Sequence, residues 1–187
     1  ATANAQALKE QFERFRVPGV IMHAAGSDTL HTVEEPAGIP LGYEGVHVSA
    51  AGSGSTWGNF AWRETWQLPS VTVDFLAKTH MLQHVMLLSI DAEGHDPLIL
   101  YGANKTLARR LVSVIQFEAH NVGEWQKHSL THVLAYLRQH GVRCFWDLNS
   151  GKLMPIVHGA HTANVPHSNV ACLSAKVHEV FVRAGLD

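Results

Sequence analysis

"LLSIDAEGHDPLILYGANKTLARRLVSVIQFEAH", residues Leu87 to His120, is the stretch whose reading decides the fold. Extended back to His84, the apolar run "HVMLLSID" reads as a strand closing on Asp91, with Glu93 and Gly94 directly behind it. Pro97 suits the first turn of a helix, because its missing N–H is not needed there, and "PLILYGANKTLAR" continues that helix. Leu111 to Phe117 is a second unbroken apolar run, and it ends in Glu118, Ala119 and His120. Two such runs joined by a helix point to parallel neighbours buried on both faces. In open sheets of this kind the ligand crevice lies beyond the carboxyl ends of the strands. Asp91, Glu93, Glu118 and His120 all fall there, along with Ala25 to Asp28.

Working outward, Thr2 to Phe15 sets Ala5, Leu8, Phe12 and Phe15 on one helical face, opposite Lys9, Glu10, Glu13 and Arg14. After "VPG", Val20 to Ala25 reads as a short buried strand closed by the turn signal "GSD". From Thr29 to Pro69 the pattern dissolves into Gly, Pro, Ser and Trp, with short strands near His31 to Glu34 and Gly45 to Ser49. A segment this long without periodicity reads as an excursion, residues 29–69, within a single domain of residues 1–187. Its Trp57, Phe60, Trp62 and Trp66 fit either a substrate lid or anchors to the core. The glycine-rich "AGSGSTWG" lacks the Lys-Ser/Thr end of a phosphate loop.

Order returns at "SVTVDFLAKTH", with Val71 and Val73 extended and a helical turn from Asp74. Downstream, Ser129 caps a helix whose Leu130, Val133, Leu134 and Leu137 share one face, and Gly141 stops it. "VRCFWDL", "KLMPIV" and "NVACLSA" read as strands, the first two joined as a hairpin by "NSGK". The fold class is α/β: a mainly parallel sheet with a C-terminal antiparallel hairpin.

Composition limits the function classes. The 187 residues are 46% hydrophobic and 16% charged, enough for a core that needs no staples. The formal net charge of -2 and the scattered Lys and Arg give no basic run to follow a nucleic acid backbone or an anionic membrane. No apolar run nears the roughly 20 residues that span a bilayer, and the N-terminus has no signal-peptide pattern. The expectation is a soluble chain, with the cytoplasm as default compartment. The 2 cysteines, Cys144 and Cys172, lack CxxC spacing and say little about redox compartment. The 14 histidines prompt a search for metal sites, but "HAAGSDTLH" and "HGAHTANVPH" lack ligand spacing, so no metal is assigned.

The strand-end carboxylates admit two readings from pattern alone. They could accept a hydroxyl proton or pair with a cationic ligand. Equally, Asp91 and Glu93 could do no more than favour the positive start of the following helix.

The residues resemble a known family. "SIDAEGHDPLILYGANKTL" is similar to the Asp-x-Glu-Gly signature of FkbM-type S-adenosylmethionine-dependent methyltransferases, here Asp91, Glu93 and Gly94, followed by the Leu-x-Gly-Ala element at Leu100, Gly102 and Ala103. "VIMHAAGSD" resembles the family's strand ending in Ala-x-Ser-Asp, "VTVDFL" its Thr-Leu-Asp element with Val73 in the Leu place, and "IQFEAH" its strand ending in Phe-Glu. The resemblance covers most of Val20 to Pro155. It implies a class I methyltransferase-like, Rossmann-like fold and methyl transfer from S-adenosylmethionine to a hydroxyl of a small molecule or sugar. It further implies that Asp91, Glu93, His95, Glu118 and His120 serve catalysis, and that Ala25, Ser27, Asp28 and Asp91 lie on the cofactor side.

Two departures accompany it. His95 and Asp96 replace the commoner aromatic or Ala then Glu. The family's opening strand, glycine-rich turn and second strand have no counterpart in residues 1–187, so the resemblance implies a domain without its N-terminal strands. The competing reading is a non-catalytic remnant that binds partners through the Trp-rich excursion; a histidine-dependent metal hydrolase is third. Missing strands would expose the edge of the His84 to Asp91 strand and favour self-association there.

Overall fold

The structure, a computed structural model, describes residues 2–16, 18–20, 22, 24–36, 49–50, 56–57, 60–61, 65–148, 152–156 and 168–185. The glycine-rich stretch 51–55, Trp62, the turn 149–151 and the histidines of 158–167 lie outside them. The chain divides into two compact units, residues 1–25 with 29–71 and residues 26–28 with 72–187.

The first unit opens with α1 (Thr2–Arg14), as its periodicity requires. Among the described residues of the strand expected over Val20 to Ala25, only Ala25 is in a strand. Only β1 (Ala25–Gly26) pairs, and Val20 and Met22 are exposed, because an apolar run becomes a buried strand only where neighbours cover it. Next come β2 (Thr32–Pro36), β3 (Ser49–Ala50), β4 (Thr56–Trp57), β5 (Phe60–Ala61) and β6 (Thr65–Val71). β2 lies antiparallel between β6 and β3, and β4 pairs with β5. The described part of the excursion is thus antiparallel sheet. Ser70 is buried and bonded on two sides: its hydroxyl donates to the Thr29 carbonyl at 2.7 Å and accepts from the His31 N–H at 2.7 Å. Val33, Leu68 and Ala25 form the small apolar core.

The second unit contains α2 (Val73–Thr79), β7 (Val85–Ser89), α3 (Asp96–Tyr101), α4 (Asn104–Ala108) and β8 (Val112–Ala119). A 3-10 turn (Gly123–Gln126) leads to α5 (Leu130–Gln139), β9 (Val142–Asp147), β10 (Leu153–Pro155), β11 (Ser168–Ser174) and α6 (Ala175–Arg183). Their sheet has the order β10-β9-β11-β8-β7. β7 and β8 are parallel, as the opening stretch predicts, and β9 and β10 form the predicted antiparallel hairpin. β11, however, inserts between β8 and β9 and runs antiparallel to both. Three of the four pairings are therefore antiparallel, and the sheet is mixed rather than mainly parallel. Insertion of the last strand sets Cys172 opposite Cys144, and the two are joined as a disulfide. Nothing in the spacing of the two cysteines signals that register.

β7 was read as buried on both faces, but it is the edge strand among the described residues. Met86 is 74% exposed and Leu87 49%, and alternate residues of a strand point to opposite faces, so both faces are open here. The core gathers instead on β8 and its neighbours: Leu100, Leu107, Ile115, Phe117, Val133, Leu137 and Val170 are buried, each contributing about 1.5–3 kcal/mol. Phe117 stacks on Trp125 with ring centroids 5.9 Å apart. α5 matches its pattern throughout, with the Ser129 hydroxyl accepting from the His132 N–H at 3.3 Å.

The single helix expected from Pro97 is two, broken at Gly102 and Ala103. The break has two causes. The Asp74 carboxylate accepts from the N–H groups of Lys105 at 2.8 Å and Thr106 at 2.7 Å and from the Thr106 hydroxyl at 2.7 Å, which starts a new helix. Thr72 caps α2 by accepting from the Phe75 N–H at 2.9 Å. The Thr-x-Asp element thus caps two helices at once. Gly102 supplies the second cause, since a Cβ there would lie 2.1 Å from the Ser27 carbonyl oxygen. Its φ of -66° is ordinary, so space and not conformation demands glycine. Gly102→Ala is expected to lower stability by about 2–3 kcal/mol in urea unfolding, as overpacking against backbone does. A loss below about 1 kcal/mol would show that Ser27 is not held against α3.

Candidate functional site

The site is built on the carboxyl ends of β7 and β8. After Ser89 the chain passes Ile90, which is buried, and turns through Asp91 to His95. Glu93 and Gly94 are both left-handed, with φ of 49° and 96°. Glutamate in that region costs about 1 kcal/mol. Glycine at the next position is obligatory twice over, because a Cβ on Gly94 would also meet the Val122 carbonyl oxygen at 2.8 Å. The Gly94 carbonyl in turn accepts the Glu124 N–H at 2.9 Å, so the turn after β7 is seated against the loop after β8.

Asp96 joins the two strand ends. It is 0% exposed, and its carboxylate accepts the Gly94 N–H at 3.3 Å through Oδ2 and the Glu118 N–H at 3.3 Å through Oδ1. Burial pushes its pKa up from 3.8 to about 6. The N–H groups of Asp96, Glu118 and Gly94 oppose that rise, and the charge of Asp91 adds to it. Asp91 is thus close enough to Asp96 to be felt electrostatically, while its own side chain is exposed. Glu93 and Glu118 are half-buried, and the β8–β11 register sets Asn169 directly opposite Glu118.

The remaining residues named from sequence are distributed as follows. His120 is buried immediately after β8, and His95 is half-buried at the start of α3. Ser27 is fully buried and donates its hydroxyl hydrogen to the Asp28 carboxylate at 3.2 Å, with its carbonyl against Gly102. Ala25 lies in the other unit, within the apolar cluster of Val33 and Leu68. Asp91, Glu93, Glu118 and His120 therefore lie at neighbouring strand ends, with Ser27 and Asp28 beside the far end of α3. Sequence reasoning missed Asp96 and Asn169. The signal for Asp96 was available: an acid in the first helical turn, just before Pro97, beside two other carboxylates. Asn169 had none, since its place depends on where β11 inserts.

Chemically this is a negative rim on a rigid base. Among the described residues, no three His, Cys, Asp or Glu side chains gather as a metal site. A rim of carboxylates suits a cationic or hydrogen-bond-donating ligand, and Glu118 and His120 can take a proton.

The sequence profile of the family described as Methyltransferase FkbM domain matches residues 22–144. No curated protein and no solved structure matches the chain.

The raised pKa of Asp96 has a definite sign in stability. Below about pH 4 the carboxyl is protonated both folded and unfolded. As pH rises towards 6 the unfolded chain releases its proton first, so folding is progressively disfavoured, and above about 6.5 the difference is constant. Relative to Asp96→Asn, wild type is expected to lose about 2 kcal/mol of unfolding free energy between pH 4 and 6.5. A difference that stays flat, or rises with pH, in denaturant titrations would mean that Asp96 is not held away from water.

Proposed function

The chain belongs to the FkbM methyltransferase family, and from that premise we propose that it is an S-adenosylmethionine-dependent O-methyltransferase acting on a hydroxyl of a small molecule or sugar. The observation that carries the reading is the acidic rim of Asp91, Glu93 and Glu118, held on the buried Asp96 at two adjacent strand ends. In an α/β sheet this end is where ligands bind.

The residues fit the cofactor by charge. S-adenosylmethionine, when bound, supplies an electrophilic methyl group on a positively charged sulfur. Asp91 and Glu93 would set negative charge towards that cation, and Ser27 and Asp28 would offer hydrogen-bonding groups on the same side of the sheet. The class I, Rossmann-like arrangement belongs to this proposal. It is supported by the parallel pair β7 and β8 and by the antiparallel strand β11 inserted between β8 and β9.

The chain's own work is positioning and proton removal. Holding an acceptor oxygen in line for transfer can remove several kcal/mol of barrier. When the acceptor oxygen gained the methyl carbon, the carbon–sulfur bond of the cofactor would break to leave a neutral thioether, and the oxygen's proton would pass to a base, either the Glu118 carboxylate or a ring nitrogen of His120. Asp96 acts through the backbone turn, as a positioning residue, and His95 at the start of α3 is a further candidate proton acceptor.

The test uses the protein together with any sequence its gene places before Ala1. It is incubated with methyl-labelled S-adenosylmethionine and a panel of sugars and small alcohols, and products are read by mass spectrometry. The expected product is a methyl ether, 14 mass units heavier than its acceptor by about one CH₂. Glu118→Gln or His120→Asn is expected to reduce kcat by 10²–10⁴-fold, the usual worth of a general base. Asp91→Asn is expected to weaken cofactor binding about tenfold. Neither cofactor binding nor transfer to any hydroxyl would favour the non-catalytic binding module.

A further inference from the structure

At the opposite end of the larger sheet from the carboxylates lies a second cavity, of about 640 Å³. Its place follows from topology. His84 precedes β7, Val112 and Ser113 open β8, Gly141 and Val142 open β9, and Ser174 closes the antiparallel β11; all of them line it. It lies wholly within the second unit.

Four basic side chains line this cavity, Arg110, Lys176, His84 and His140, and the described lining residues include no Asp or Glu. The rest of the wall is largely aliphatic, with Leu107 buried at one side and Val180 exposed at the other. His84 and Ser113 are hydrogen-bonded across β7 and β8 at 2.7 Å, which fixes one edge.

Arg110 carries the argument furthest. It follows α4 with φ of 56°, and the end of that helix is closed by the Arg110 N–H on the Leu107 carbonyl at 2.8 Å and the Leu111 N–H on the Thr106 carbonyl at 3.2 Å. This helix-ending geometry normally takes glycine, because a side chain is strained there. The same left-handed φ follows α1 at Arg16 and α2 at Met81, so what sets Arg110 apart is its place on the cavity wall. What the arginine adds is a guanidinium at the cavity wall, a planar fork that matches phosphate oxygens. The volume is within the range of small-molecule sites.

We propose that this cavity binds a soluble phosphomonoester with an apolar body, the phosphate on Arg110 and Lys176 and the apolar part along Leu107 and Val180. The site is independent of the methyl-transfer reading, since it shares no residue with the carboxylate rim.

The probe is n-hexyl phosphate, titrated calorimetrically into the protein beside n-hexanol and inorganic phosphate. One-to-one binding of hexyl phosphate at least tenfold tighter than either fragment is expected. The strain argument supplies a decisive variant: Arg110→Gly is expected to keep or raise the melting temperature while weakening that binding at least tenfold, and Lys176→Gln to weaken it by a smaller factor. Equal binding of hexanol, unchanged binding by Arg110→Gly, or no binding of hexyl phosphate would each overturn the proposal. Retention on phosphatidic acid vesicles but no binding of soluble hexyl phosphate would overturn it in favour of a lipid headgroup.

Discussion

The candidate site depends on one buried carboxyl group. Asp96 is withdrawn from water at the start of α3, and its two oxygens accept the Gly94 and Glu118 N–H groups, one from the turn after β7 and one from the end of β8. A carboxylate in that position costs solvation, which is why its pKa rises to about 6. What the cost secures is a fixed relation between two strand ends, in addition to the β7–β8 ladder and the Glu124 N–H on the Gly94 carbonyl. The exposed and half-buried acids, Asp91, Glu93 and Glu118, ride on that base. Preorganised charge of this kind is more effective than charge on free loops, since it needs no reordering when a ligand arrives.

The surrounding helices are placed by the same use of short polar side chains. Thr72 and Asp74 cap α2 and α4, so the segment before β7 is tied to the segment before β8. Between α3 and α4, Gly102 leaves room for the Ser27 carbonyl, and so the Gly26–Asp28 segment is brought against the helix that carries Asp96. Tyr136 braces the same C-terminal end of α3 by donating its hydroxyl hydrogen to the Leu100 carbonyl at 3.3 Å; burial, with lesser contributions from Asp74 and Tyr101, pushes its pKa up to about 12. The unit is organised around α3.

Where the sequence was legible, local signals and burial agreed. The Ser129 cap, the Leu130 to Leu137 face and the Gly141 stop define α5 because every one of those preferences is met within a dozen residues. The β9–β10 hairpin and the parallel β7–β8 pair were legible for the same reason. Features that depend on distant partners were not. Val20 and Met22 sit in a run as apolar as a buried strand but are exposed, and β7 has the composition of a central strand while lying at the edge among the described residues. The insertion of β11 between β8 and β9, the Cys144–Cys172 bond and the pairing of Asn169 with Glu118 all follow from one long-range register that no local pattern encodes. Asp91, Glu93, Glu118 and His120 could be named because strand ends are readable. Asp96 carries a local signal as a first-turn acid beside Pro97, but its burial and its bond to the Glu118 N–H depend on the neighbouring strand.

The most direct test of this account follows the carboxyl carbon of Asp96 and the amide protons of Gly94 and Glu118 by NMR through a pH titration. The account predicts that all three report one midpoint near pH 6, with the Glu118 amide responding although it lies in a different strand. A carboxyl midpoint near 4, with no matching response at Glu118, would show that Asp96 is solvated and that the two strand ends are not joined through it.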